Sequence, residues 1–167
     1  MAVDTLYDDD FVLWAERQAE SLRLGAREGS SLPLDWENLA EEIESVGRSE
    51  RRRVGTLVSN IIAHLLTLAC SPSDRDRSGW ESEIGSARDY LRRTLDESPS
   101  LKPGFPDIVA REQPGAARAA VRSLRKYGER DAAARLEAGA PTITAEQVLD
   151  DEFYLPGSFP TPEQTLP

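Results

Sequence analysis

The sequence predicts an all-α protein, an antiparallel bundle of four to six helices around one long central helix. Apolar residues recur at helical spacing along most of the 167 residues, and the alternation of a half-buried strand is nearly absent. Glycine, proline and capping residues separate the periodic stretches. The longest stretch keeps one apolar face over about 30 residues, which indicates the central helix.

The N-terminal helix is predicted to begin at Asp8 or Asp9, which are suitable N-caps, and to run to about residue 24. Leu6, Leu13 and Leu24 lie opposite its inner apolar face, and an exposed apolar stripe of this kind usually finds a cover. We therefore expect a protein partner, or self-association through this helix. The Pro-rich C-terminal tail is the alternative cover.

The central helix is predicted over Trp36–Cys70. Its apolar stripe keeps one phase from Leu39 to Leu68. Gly47 interrupts the stripe without shifting its phase, so we expect a continuous helix that is kinked at most. A capping box at Ser78–Glu81 opens the third helix, and the short connection makes the second and third helices antiparallel neighbours.

The C-terminal half is predicted to hold shorter helices. A helical region begins at Asp107 and is divided by Pro114, because proline lacks the backbone donor that a helix interior needs. Thr144 caps one last helical turn. Residues 1–157 are thus predicted to form a single helical bundle domain, and residues 158–167 a Pro-rich tail.

The amino-acid composition excludes several classes of function. Lys and Arg number 20 against 30 Asp and Glu, and the resulting net charge of −10 should repel nucleic acid and anionic membranes. One cysteine and one histidine exclude zinc fingers, Cys-x-x-Cys redox pairs and H-E-x-x-H protease sites. The acidic N-terminus lacks the features of a secretory signal. We expect an acidic cytoplasmic protein that has no cofactor and binds neither nucleic acid nor a membrane.

A polar seam beside the predicted core is the candidate site. Projection at ~100° per residue aligns Glu42, Asn60 and His64 along the second helix. Antiparallel packing brings Glu83 and Arg88 of the third helix within reach of His64. Glu42 could pair with His64 only across a dimer or after a reversal of the chain, because 22 residues of continuous helix span ~33 Å.

We expect His64 to be a mostly buried structural residue. It lies on the core-building face, where an unpaired imidazole would cost about 1–3 kcal/mol, so it needs a hydrogen-bond partner. Glu83, Arg88 and Tyr90 are the predicted partners. A metal-binding or catalytic role is the alternative, although no second His or Cys completes a coordination set.

The densest acidic motif offers an alternative chemistry. Glu41 and Glu44 are one helical turn apart and could hold Mg²⁺ or Mn²⁺, as paired carboxylates do in all-α nucleotide pyrophosphohydrolases. The matching pair is missing, because Glu81 and Glu83 point to diverging faces. We interpret the motif as a solvated helix face. The lone Cys70 is interpreted as a buried apolar residue.

Several stretches resemble a bacterial family catalogued as domain of unknown function 29. In chain order they are "YDDDFVLWAERQAESLR", "LDWENLAEEIESVGRSERR", "HLLTLACSP", "RSGW", "SPSL" and "TAEQVLDDEFYLPG". Their order is more specific than any single stretch. The resemblance implies an α-helical fold, and it implies no activity, substrate or catalytic residue.

The sequence supports two function hypotheses. The leading one is a non-catalytic cytoplasmic helical interaction module. It is favoured because the sequence shows no recognisable set of catalytic residues, and because the N-terminal helix carries a second apolar stripe. The alternative is a metal-dependent hydrolase with carboxylate ligands on the bundle helices.

Overall fold

The computed structural model describes residues 3–29, 32–72 and 77–156. Within these ranges the chain forms seven α-helices and one 3-10 turn and no strand. The all-α class and the long helix over Trp36–Cys70 are confirmed, whereas the predicted number of four to six helices was too low. The helices are α1 (Val3–Asp9), α2 (Phe11–Arg27), α3 (Trp36–Cys70), α4 (Arg77–Glu97), α5 (Phe105–Lys126), α6 (Arg130–Ala138) and α7 (Ala145–Leu149), and the 3-10 turn is Pro99–Leu101.

The chain divides into two compact units. The first comprises the described residues within 1–54 and 92–104, and the second comprises those within 55–91 and 105–167. Helices α3 and α4 each contribute to both units. The single bundle domain predicted over residues 1–157 stays a prediction, and the predicted tail at 158–167 lies outside the described residues.

In the first unit, the N-terminal helix breaks at Asp10 into α1 and α2. Asp10 is the N-cap of α2, since its carboxylate accepts a hydrogen bond of 2.9 Å from the Leu13 N–H. The predicted caps, Asp8 and Asp9, instead lie exposed within α1. The break also shifts the phase of the preceding turn, and Leu6 is consequently buried rather than on an outer stripe.

Helices α2 and α3 run antiparallel in this unit and approach closely through small residues. Val12, Ala15 and Ala40 are buried in the first unit. Helix α3 continues through Gly47 as predicted. A β-carbon at Gly47 would lie 3.5 Å from the Ala15 β-carbon, so the glycine lies directly against α2. Short side chains thus set the spacing of this helix pair.

The second unit has a larger apolar core. The C-terminal half of α3 contributes buried side chains on nearly every turn because neighbouring elements cover several of its faces. The short connection to α4 makes these two helices antiparallel, as predicted. Fully buried members of this core include Ile61, Ile62, Leu65, Leu66, Ile84, Leu91, Leu124, Leu136 and Ile143.

Helix α5 passes through Pro114 without ending, so the predicted division of this helix was wrong. Pro114 is exposed, and buried residues lie in helical phase on both sides of it, from Ile108 to Ala116. The preceding Gln113 also ties the helix to a distant segment. Its side-chain amide donates to the Ile143 carbonyl at 2.8 Å and accepts from the Ile143 N–H at 3.1 Å. Packing therefore outweighs the lost backbone bond.

Among the described residues, one helix is long and apolar enough to cross a membrane by length and composition. This helix is α3, and 61% of its apolar window is buried inside the protein. Length and composition alone do not distinguish a span from the core helix of a folded protein, which is just as apolar.

Candidate functional site

The polar seam contains one direct pair. The imidazole Nε2 of His64 lies 2.8 Å from the Glu83 carboxylate, so Glu83 is the partner among the three that were predicted. The His64 side chain is 29% exposed and that of Glu83 is 64% exposed. The His64 side chain is thus mostly buried, and it lies at the flank of the α3 core face rather than at its centre.

The other seam residues do not join this pair into one site. Glu42 and Asn60 are exposed on α3. Because α3 is continuous from Trp36 to Cys70, the chain reversal that would bring Glu42 to His64 does not occur. Arg88 is fully buried and binds elsewhere. The seam therefore does not form one site, and among the described residues His64 and Glu83 are its only close pair.

The carboxylates proposed for a metal have different surroundings. Glu41 is exposed, whereas Glu44 contacts the guanidinium of Arg23 on α2 and lies 3.3 Å from Arg48. The hydrogen bond from Arg23 holds the pKa of the Glu44 carboxyl below its usual value. Across residues 3–29, 32–72 and 77–156, no group of three or more His, Cys, Asp or Glu could hold a metal ion.

Arg88 forms the first of two buried polar networks. Its guanidinium donates to four backbone carbonyls of the C-terminal segment, and its Cζ lies 5.5 Å from the centre of the Tyr154 ring. Two acceptors belong to the last turn of α7, whose carbonyls have no intrahelical donor. Arg88 thus caps α7 with a positive charge, which the helix dipole favours. The acceptors are Gln147 at 3.2 Å, Val148 at 3.0 Å, Asp151 at 3.2 Å and Phe153 at 2.9 Å.

Asp10 forms the second network, in the first unit. Besides capping α2, its carboxylate accepts bonds of 2.6 Å from the Ser100 N–H and 2.9 Å from the Ser100 hydroxyl. The Ser98 hydroxyl accepts from the Val12 N–H at 3.3 Å. The start of α2 is therefore satisfied by the 3-10 turn some 90 residues later in the chain.

The second network was not predicted from the sequence. Asp10 follows two other aspartates, which were the predicted caps, and no partner was predicted for Ser98 or Ser100. One signal was available, because both partners lie in stretches that carry the family resemblance, "YDDDFVLW" and "SPSL". Local sequence cannot show that two such stretches meet.

Cys70 lies at the end of α3 and is buried, as expected from the sequence. Burial raises the pKa of its thiol to about 11, because the thiolate would lose its hydration. Nucleophilic attack requires the thiolate, so the thiol is protonated and weakly reactive at neutral pH.

An apolar strip follows one edge of the α2–α3 pair. Two ion pairs, Arg23 with Glu44 and Arg51 with Glu16, mark the opposite edge. At 100° per residue, the helical geometry places a series of apolar side chains on the edge without these ion pairs. Some of these side chains are exposed, with Leu39 at 40% and Val46 at 43%, and the others are half-buried. The apolar strip comprises Phe11, Leu22, Leu39, Ile43 and Val46.

The fold and these networks define a class of small all-α protein whose buried polar side chains satisfy the ends of its own helices. The chain matches the family described as Domain of unknown function DUF29 over residues 6–154, and it belongs to this family. The resemblance of its motifs is thereby confirmed. Both buried networks lie within the matched residues.

One solved structure is closely similar to the chain. It is the crystal structure of an alpha-helical protein of unknown function from Rhodospirillum rubrum ATCC 11170. The two proteins are 30% identical, the TM-score is 0.72, and the match covers 88% of this chain and 90% of the other. No curated protein matches the chain.

Proposed function

We propose that the protein is a non-catalytic helical interaction module of the cytoplasm that binds a second copy of itself through the apolar strip. The exposure of Leu39 and Val46 beside half-buried Phe11, Leu22 and Ile43 is the observation that supports it. A group of exposed apolar side chains on one edge is typical of protein interaction sites.

The self-association proposed here uses a different face of α2 from the one expected from the sequence. Leu6 is buried and Leu13 is half-buried, so the predicted outer stripe is reduced mainly to Leu24. The apolar strip instead combines residues of α2 and α3. Residues from two packed helices form a wider and more rigid surface than a single-helix stripe.

Two further features support this class of function. The buried Asp10 and Arg88 bind backbone groups of the chain itself, which is a structural use of a buried charge. The buried, unpaired Cys70 suits a reducing compartment, where thiols persist and disulfides are rare. These features support a cytoplasmic module whose buried polar side chains stabilise the fold.

Light scattering over a wide range of protein concentrations tests the proposal. The molar mass of the wild type should rise from 18.5 kDa towards that of a dimer. The double variant Leu39→Glu/Val46→Glu should stay monomeric, because carboxylates in an apolar interface carry a large desolvation cost. A wild type that stays at 18.5 kDa at the highest concentration would refute self-association.

The control variant is Leu24→Glu, which changes an exposed leucine on the outward face of α2. It should associate like the wild type. If Leu24→Glu abolishes association and the double variant does not, the interface is the outer leucine stripe and our assignment of the apolar strip is wrong.

A further inference from the structure

The second unit carries a groove along α5 that the apolar strip does not include. Two adjoining cavities of about 350 Å³ each share Ala117 and Ala140 in their linings. Together they extend along α5 from Ala110 to Arg125, which is ~22 Å of helix. We call this feature the α5 groove.

The lining of the α5 groove is apolar at its base. Leu66, Val121 and Leu136 line it and are buried beneath its surface. Pro114 and Pro141 contribute further apolar surface. An apolar base of this kind favours a ligand that brings apolar side chains of its own.

Arginines form the rim. Arg118, Arg122 and Arg125 recur at i, i+4 and i+7, so all three lie on one side of α5. Arg125 already binds a carboxylate, that of Glu137, at 2.6 Å. Within the part of the chain that the structure describes, neither Arg118 nor Arg122 forms an ion pair, and both are exposed.

The charge of this segment is opposite to that of the whole protein. Residues 115–126 contain four basic residues and no acidic one, in a chain of net charge −10. A local positive field on an acidic protein attracts acidic groups to this face and repels them elsewhere. Charge complementarity therefore selects an anionic partner for the α5 groove.

We propose that the α5 groove binds an amphipathic acidic helix of a partner protein, one that carries carboxylates one turn apart beside an apolar stripe. Apolar side chains would cover the base, and the carboxylates would pair with Arg118 and Arg122 in the manner that Glu137 pairs with Arg125. The length of the groove matches about four turns of helix.

Other anionic ligands fit this surface less well. The groove lining includes no aromatic side chain on which a nucleic-acid base could stack. The net charge of −10 opposes the approach of the whole protein to an anionic bilayer. A separate acidic helix meets neither obstacle, because it is small enough to lie within the positive segment.

The probe is a fluorescein-labelled synthetic helix of about 15 residues, with glutamates one turn apart beside a leucine stripe. Its anisotropy should rise saturably as full-length protein is added. The variant Arg118→Glu/Arg122→Glu should bind at least about tenfold more weakly, since two attractive pairs become repulsive. The control Arg17→Glu/Arg93→Glu makes the same change of charge at exposed positions outside the groove and should bind like the wild type.

Two altered probes distinguish the sources of binding. Replacing the leucines by glutamine, or the glutamates by glutamine, should each weaken binding, because both the base and the rim are used. Equal binding by the groove variant and its control would overturn the proposal. Binding to phosphatidylglycerol vesicles through Arg118 and Arg122, without binding of the helix, would assign the groove to lipid and also overturn it.

Melting temperatures measured on the same variants establish that each is folded. The groove and the apolar strip belong to different units and different residues. A failure of helix binding therefore leaves the self-association result unaffected, and the reverse also holds.

Discussion

Asp10 in the first unit and Arg88 in the second both form hydrogen bonds to backbone groups at helix ends, and they carry opposite charges. A buried carboxylate accepts from N–H groups at the start of α2, and a buried guanidinium donates to carbonyls at the end of α7. Each charge has the sign that the helix end favours. The two side chains differ in the sequence distance that they bridge, since Asp10 also caps its own helix whereas the four bonds from Arg88 to backbone carbonyls each span at least 59 residues of sequence. Arg88 therefore stabilises long-range tertiary contacts, whereas Asp10 both stabilises such contacts and caps its own helix.

The largest expected effect follows from removing Arg88. Arg88→Met should lower the free energy of unfolding by about 3–5 kcal/mol, because buried carbonyls lose a charged donor. Chemical denaturation measures this change. Arg88→Lys should recover only part of it, since an ammonium cannot match the planar fork of the guanidinium.

The matched control is Arg93→Met, an exposed arginine on the same helix, which should change stability by less than about 0.5 kcal/mol. Limited proteolysis adds a local readout. Cleavage within residues 143–154 should accelerate in Arg88→Met and not in the control. Equal stability of the two variants would show that the guanidinium does not hold the C-terminal segment.

Removing Asp10 should have a smaller effect. Asp10→Ala should lower the free energy of unfolding by about 2 kcal/mol, the sum of a lost N-cap and lost bonds from Ser100. Asp9→Ala is the control, because Asp9 is the neighbouring exposed aspartate that was predicted as a cap and does not cap α2. A double-mutant cycle of Asp10→Ala with Ser100→Ala should give a coupling energy above about 0.5 kcal/mol. Additive effects would contradict the link to the 3-10 turn.

Two other features of the fold were predictable from the sequence. Helix α3 was predictable because one apolar phase persists from Leu39 to Leu68, and the capping box of Thr144 and Gln147 was predictable because its parts are three residues apart. Both signals are local in the chain. Long-range contacts leave no comparable local pattern.

The missed features all depend on residues that are distant in sequence. The break at Asp10 involves Ser100, and the continuity of α5 through Pro114 accompanies the bonds between Gln113 and Ile143. Arg88 was predicted as one of three candidate partners of His64, whereas its guanidinium binds the C-terminal segment, a long-range contact that helical projection does not predict. The pair of His64 and Glu83 was predictable, since a short connection sets the register of α3 and α4.

His64 should contribute less than either buried charge. His64→Gln and His64→Leu should each change the free energy of unfolding by less than about 1 kcal/mol, because the pair with Glu83 is partly exposed. Thermal unfolding with and without a chelator tests the metal alternative at the same time. We expect no response to the chelator in any of the three proteins. A wild-type response that both variants lack would make His64 a metal ligand.

The smallest effect at neutral pH concerns Cys70. Its pKa is raised from 9.0 to about 11 in the folded protein, so the thiol ionises first in the unfolded chain. Its stabilising contribution is therefore complete below pH 9 and declines as the pH rises from 9 to 11. Cys70→Ala should show a shallower loss of stability over this window in denaturation experiments. An identical pH dependence in both proteins would contradict a buried neutral thiol.

The central claim is that buried charges stabilise the fold while the apolar strip binds a second copy. The most direct test is how the melting temperature depends on protein concentration. Association stabilises the folded state, so the wild-type melting temperature should rise by about 2 °C per tenfold increase in concentration. Leu39→Glu/Val46→Glu should show no rise, and Asp10→Asn should melt lower with the wild-type slope. A flat wild-type curve, or an Asp10→Asn curve that loses its slope, would contradict the account.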